Sequence, residues 1–157
     1  MLIWGQSIGA GVATGLTAAY VNSPWSQPRR DGQRVPIDAL ILETPFTSVE
    51  DLLLAFYPQK WLPYRYLGPF LRSHWDSMSA LQCIAQGDAP QPTVLIVEAA
   101  NDEVVPPEHA EALEMRCRAL GIDVQRKMIP GALHSQAALK RDGQLEIARF
   151  LRERYSR

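Results

Sequence analysis

Four short apolar runs, each followed by a loop and then a helix-like pattern, organise the chain. The first, Met1 to Trp4, passes through Gly5-Gln6-Ser7-Ile8-Gly9 into a small-residue segment, Ala10 to Ala19, that continues as a helix to about Tyr20. The second, Ile37 to Glu43, is nearly continuous in apolar residues, as expected of a strand buried on both faces of a parallel sheet. Thr47 with Glu50 then reads as a capping box at the head of a helix from Val49 to Tyr57. Asp76 or Ser77 heads another, Met78 to Gln86, and Gly87 to Pro92 turns the chain.

Thr93 to Ala99 is the clearest strand, and the helix after it, Glu108 to Leu120, is closed by Gly121. Val124 to Ile129 is the fourth strand. The last helix, Gln144 to Arg154, directs Leu145, Ile147, Ala148, Phe150 and Leu151 inward. Strands alternating with helices predict an α/β fold with a parallel sheet of about four strands, right-handed crossovers and flanking helices.

Two stretches break the alternation. Asn22 to Pro36 carries three prolines and reads as a long loop, with Trp25 as a local anchor. Phe46 to Trp75 holds eight of the thirteen aromatics, cut by Pro58, Pro63 and Pro69. It reads either as ordinary core between helices or as a small lid with an apolar wall for a greasy substrate. The chain thus divides into a first strand and helix (1–21), a loop (22–36), a strand with the lid-like segment (37–92), and two strand-loop units with the last helix (93–157).

Composition adds exclusions. At 157 residues and 46% hydrophobic, the chain is one globular domain by size. Sixteen Lys and Arg against seventeen Asp and Glu leave a net charge of −1 and no basic stripe, which argues against a nucleic-acid partner. Cys83 and Cys117 are too few for a disulfide framework and read as thiols in a reducing compartment. No metal-ligand spacing is present and no cofactor is expected. No window of about 18 apolar residues exists, so nothing here is expected to span a bilayer, and the N-terminus lacks the pattern of a signal peptide.

The chemistry starts at Gly5-Gln6-Ser7-Ile8-Gly9. Strand, Gly-x-Ser-x-Gly, helix is the nucleophile-elbow pattern: the serine sits on a sharp, strained turn, and glycines two positions to either side avoid collision with the strand and helix. The Ile8 N–H, at the start of the helix, is placed to bind an oxyanion. The partners of such a serine follow as acid then histidine, each after a later strand. Asp102 lies in the loop after the third strand and His134 in the loop after the fourth. In a parallel sheet all three loops open at the same edge. His134 would serve as general base, and Asp102 would fix its tautomer and stabilise the imidazolium. Glu103 competes for the acid role; His74 and His109 fit the base role less well.

These three segments together resemble the α/β-hydrolase superfamily. Leu42-Glu43-Thr44-Pro45-Phe46-Thr47-Ser48, with the aromatic stretch to Trp75-Asp76-Ser77, is similar to its branch of α/β-hydrolase-domain proteins, which includes monoacylglycerol and lysophospholipid lipases and protein depalmitoylases. The resemblance runs from Leu2 to Tyr155. It implies a serine hydrolase that cleaves an ester or thioester of a small or lipid-like acyl substrate through Ser7, Asp102 and His134. Peptidase chemistry and a catalytically impaired interaction module are the alternatives.

The family fold has eight strands in the order 1-2-4-3-5-6-7-8, and the present sequence corresponds to the part that begins at the fifth. The resemblance therefore implies the C-terminal half of a hydrolase domain, without the loop that donates a second oxyanion N–H. It also implies Leu2 to Trp4 as an exposed apolar edge, open to self-association, and a membrane anchor in a longer parent chain.

Overall fold

The computed structural model describes residues 1–23, 35–56 and 74–155. Its centre is β3 (Thr93–Ala99), buried along its whole length, as is β2 (Ala39–Glu43) beside it. β1 (Leu2–Gln6) pairs with β2, and β4 (Val124–Ile129) pairs with β3. All neighbours are parallel, in the order β1-β2-β3-β4, with Gln6 level with Glu43 and Glu43 level with Val97. α1 (Ile8–Val21) links β1 to β2, α2 (Val49–Phe56) and α3 (Ser77–Gln86) lie between β2 and β3, and α4 (Pro107–Ala119) joins β3 to β4. α5 (Arg141–Tyr155) closes the described chain.

Strand periodicity sorts the apolar residues onto two faces. Leu40, Leu42, Val94 and Ile96 pack with Ala10, Ala13 and Val21 of α1, Leu81 and Ile84 of α3, and Leu113 and Cys117 of α4. Ala39, Ile41, Leu95 and Val97 point the other way, onto Ile147 and Phe150 of α5. A fully buried side chain of this size contributes about 1.5–3 kcal/mol. Burial also pushes the Cys117 thiol up to about 12, so it is an inert core residue.

The helix ends follow local chemistry, with two departures from expectation. Asp76 caps α3, accepting from the Ser79 N–H at 2.9 Å. At the end of α4, Gly121 has φ 73°, the Gly121 N–H donates to Arg118 and the Ile122 N–H to Cys117, which is the Schellman arrangement. The capping box expected of Thr47 and Glu50 is displaced: Ser48 Oγ accepts from the Asp51 N–H at 3.0 Å, while the buried Thr47 hydroxyl donates to Asp51 at 2.6 Å. α5 begins before the expected Gln144, because Gly143 fits its first turn. A Cβ there would lie 1.8 Å from the Ala137 carbonyl oxygen, so only glycine lets the helix abut that backbone.

Residues 57–73, the centre of the lid-like segment, and residues 24–34 lie outside the described residues. Of the segment's flanks, Phe46 is fully buried, and Trp75 has φ 34° and lies against α1. A Cβ on Gly11 would meet Trp75 Cβ at 2.9 Å and Phe46 Cζ at 3.6 Å, so that glycine seats aromatic side chains. Gly15, one turn further along α1, has no such role: a Cβ there would meet nothing within 4 Å. No helix among the described residues is long and apolar enough to cross a membrane.

Candidate active site

Ser7 occupies the single residue between β1 and α1, with φ 52° and ψ −119°. A non-glycine residue held there stores strain of order 1–3 kcal/mol. Two contacts impose it. The Ser7 N–H donates to the Glu43 carbonyl at 2.9 Å, extending the β1–β2 ladder one residue into the turn. A Cβ on Gly5 would lie 2.0 Å from the Gly9 carbonyl oxygen, so the turn closes only because residue 5 lacks a side chain. The collision is one-sided: a Cβ on Gly9 would meet nothing within 4 Å, contrary to the symmetric clash expected.

Serine at a helix N-cap usually accepts a hydrogen bond from the first turn through its hydroxyl. Ser7 makes no such bond. Its Oγ lies 2.8 Å from His134 Nε2. His134 Nδ1 in turn lies 3.0 Å and 2.9 Å from the two carboxylate oxygens of Asp102. Asp102 Oδ1 also accepts from the Val104 N–H at 2.9 Å and the Val105 N–H at 2.7 Å, which fixes the carboxylate at the head of α4. A carboxylate at Nδ1 favours the tautomer with its proton there. The Nε2 lone pair then faces the serine hydroxyl and can take its proton as Oγ attacks an electrophile.

The loops carrying these residues are stitched together. The Ala100 N–H donates to the Ile129 carbonyl at 3.1 Å and the Asn101 N–H to the Ala132 carbonyl at 2.9 Å, so the β3–β4 pairing runs on into both loops. Gly131 has φ 63°, which turns the chain after β4 toward His134. Ile8 is the first residue of α1, and its N–H is one of the first-turn donors that a helix leaves without an internal partner.

The other candidates have different partners. Glu103 makes no hydrogen bond to the imidazole; its Oε2 accepts the backbone N–H of His134 at 2.9 Å. His109 is buried in α4, where its Nδ1 accepts from the Thr47 N–H at 3.3 Å and lies 2.9 Å from Thr47 Oγ1. Burial holds its protonation below the usual histidine range, partly offset by Asp51 and Glu108. The His74 carbonyl accepts the Val49 N–H at 3.1 Å, at the start of α2. Among the described residues no group of three or more His, Cys, Asp or Glu could hold a metal ion.

Glu43 was not singled out from the sequence as a site residue. Its carboxylate, buried at the end of β2, accepts from Gln6 Nε2 at 3.3 Å and from the Ala138 N–H at 2.8 Å. The available signal was its place: a carboxylate ending a run read as buried on both faces must find donors.

No family model matches the chain. It is 34% identical over 154 residues to an uncharacterized protein of Mycobacterium tuberculosis, covering 96% of this chain and 44% of that one. It is 36% identical over 110 residues to lysophosphatidylserine lipase ABHD12 of Danio rerio, covering 68% and 26%. Among solved structures, the carboxylesterase Cest-2923 from Lactobacillus plantarum superposes with a TM-score of 0.61 at 17% identity, over 97% of this chain and 57% of that one. The chain spans less than half the length of these curated relatives.

Proposed function

Because the chain belongs to the α/β-hydrolase superfamily, we propose that it is a serine hydrolase acting on an ester or thioester of an apolar acyl group, with Ser7, His134 and Asp102 as its triad. The observation that carries this reading is the continuous hydrogen-bonded path from Asp102 through His134 to Ser7 Oγ, from a hydroxyl turned away from its own helix.

In this reading Ser7 Oγ attacks the carbonyl carbon while its proton passes to His134 Nε2. The oxyanion forms beside the Ile8 N–H, and each such donor contributes about 2.7–4 kcal/mol. The bond to the leaving oxygen or sulfur breaks as His134 returns the proton, leaving an acyl group on Ser7. Water then attacks the acyl carbon, its proton moving to His134 and on to Ser7 Oγ as the acid departs. Asp102 holds the ring and stabilises its positive charge throughout. The apolar substrate class is supported by the aromatic residues between Phe46 and Trp75 and by the lipid substrate in the name of the Danio rerio relative.

The test is fluorophosphonate labelling and p-nitrophenyl ester hydrolysis by the 157-residue chain beside Ser7→Ala. Labelling and turnover that vanish in the variant are expected. Equal hydrolysis by both chains would sink the proposal, and faster cleavage of peptide amides than of acyl esters would replace its substrate class.

A second reading concerns association. Leu2 and Trp4 are 37% and 47% exposed on β1, which pairs only with β2 among the described residues. We propose that this edge pairs with a second copy of the chain.

A further inference from the structure

We infer that Glu43 is a positioning residue for the reaction proposed above: its buried carboxylate fastens the far end of the His134 loop to the strand behind the elbow. The inference rests on that hydrolase reading for its consequence in rate, but the contact is defined without it.

Glu43 stands between the two halves of the site. It is level with Gln6 on the neighbouring strand, and its main-chain carbonyl accepts the Ser7 N–H that sets the elbow. Its side chain reaches the histidine loop instead, where Oε1 accepts the Ala138 N–H at 2.8 Å as well as Gln6 Nε2 at 3.3 Å. One residue therefore ties down the nucleophile through its backbone and the base through its carboxylate.

The burial is costly and the donors are specific. Glu43 is 4% exposed, and no Lys, Arg or His among the described residues pairs with it. A carboxylate without a counter-ion in such a place needs strong N–H donors, and hydrogen bonds to a charged acceptor are roughly twice as strong as neutral ones. Ending a strand requires no side-chain acceptor, so the feature that uses the Glu43 oxygen is its reach to Gln6 and, across to the histidine loop, to Ala138.

The loop transmits the contact. The Gln136 N–H donates to the Leu133 carbonyl at 2.9 Å, the Lys140 N–H to Gln136 at 3.0 Å, and Ala137 is fully buried. His134 and Ala138 thus belong to one wound segment, held at its start by Glu103 on the His134 N–H and at its end by Glu43. Glu103 is exposed and Glu43 is not, so the Glu43 contact competes less with water. Releasing it lets the imidazole drift from Ser7 Oγ, and a displacement of about 1 Å at a reacting pair can cost about 100-fold in rate.

The test compares Glu43→Gln, Glu43→Asp and Glu43→Leu with the parent chain in three measurements: second-order fluorophosphonate labelling, hydrogen exchange at the Ala138 amide, and thermal melting. Gln keeps an acceptor at the same reach; Asp keeps the charge but falls one methylene short. We expect Gln to label within about threefold of the parent. Asp and Leu should label about 10- to 100-fold more slowly, with faster exchange at Ala138. A Gln variant as slow as Leu, or parent-like exchange at Ala138 in Asp and Leu, overturns the inference. If Leu fails to fold, Asp against Gln decides. If the parent chain itself is not labelled, the hydrolase reading fails, while Ala138 exchange still decides the clamp.

Discussion

The two outer strands of the sheet are built on opposite plans. β4 carries Gln125, Arg126 and Lys127 along its half-buried length. Arg126 pairs with Glu114 of α4 at 2.6 Å and with Glu98 of β3 at 3.3 Å, and Lys127 pairs with Glu146 of α5 at 3.2 Å. Charges and two covering helices guard that edge in the manner expected of an outer strand. β1 offers Leu2 and Trp4 instead, beside an α1 whose Ile8, Val12 and Leu16 form an exposed stripe at helical spacing. Its composition is that of a strand with a neighbour on each side. Ser7 stands at the end of the open strand, while Asp102 and His134 hang from the guarded side. The proposed chemistry therefore bridges the best-packed and the least-covered parts of the molecule.

Cutting that bridge on the guarded side should have the largest effect. In Asp102→Asn the amide favours the wrong imidazole tautomer, and the labelling rate should fall by about 10⁴-fold with secondary structure unchanged by circular dichroism. Parent-like labelling would remove Asp102 from the proposed role. Truncations should next separate the two plans by stability. Ile96→Ala, in the closed core, should lose about 2–5 kcal/mol in urea unfolding, whereas Leu16→Ala on the open stripe, 55% exposed, should change it by less than about 0.5 kcal/mol. Similar losses would mean that something covers the α1 stripe in solution.

Charge at the open edge should act on assembly. Leu2→Lys with Trp4→Lys is expected to shift the chain toward monomer in sedimentation velocity, with little change in melting; an unchanged distribution would exclude β1 as the contact. The smallest effect belongs to His109, on the guarded side. Burial lowers its proton affinity below the ordinary value of 6.5, so below that pH the unfolded chain binds the extra proton first. Its contribution to stability is therefore complete above pH 6.5 and declines as pH falls toward the lower folded value. The parent should lose more stability than His109→Gln between pH 7.5 and 5, and parallel losses would assign the effect elsewhere.

Much of this was legible from residue types alone. Apolar runs marked β2 and β3 because strands buried on both faces tolerate almost nothing polar, and Gly5, Ser7, Asp102 and His134 follow a spacing that the elbow and the strand ends dictate. What escaped depended on tertiary partners. Thr47 and Ser48 both suit an N-cap, and the contacts of the Thr47 hydroxyl with Asp51 and His109 take it from that role. Gly143 reads as a helix breaker until Ala137 is seen against it. Glu103 and Asp102 are chemically close neighbours, and the direction of the loop alone sends one to the ring and the other to the backbone. Glu43 looked like the last letter of a strand, because nothing local reveals that Ala138 lies within its reach.

The uncapped, positive-φ serine carries a lesson in engineering terms. A residue chosen for stability at that corner would be glycine, which adopts φ 52° without strain and loses little as a cap. Ser7→Gly should therefore melt at a higher temperature than the parent while losing all labelling, and a lower melting temperature would show that the hydroxyl supports the fold. Screening variants of this chain for thermostability alone would select against the atom on which its proposed chemistry depends.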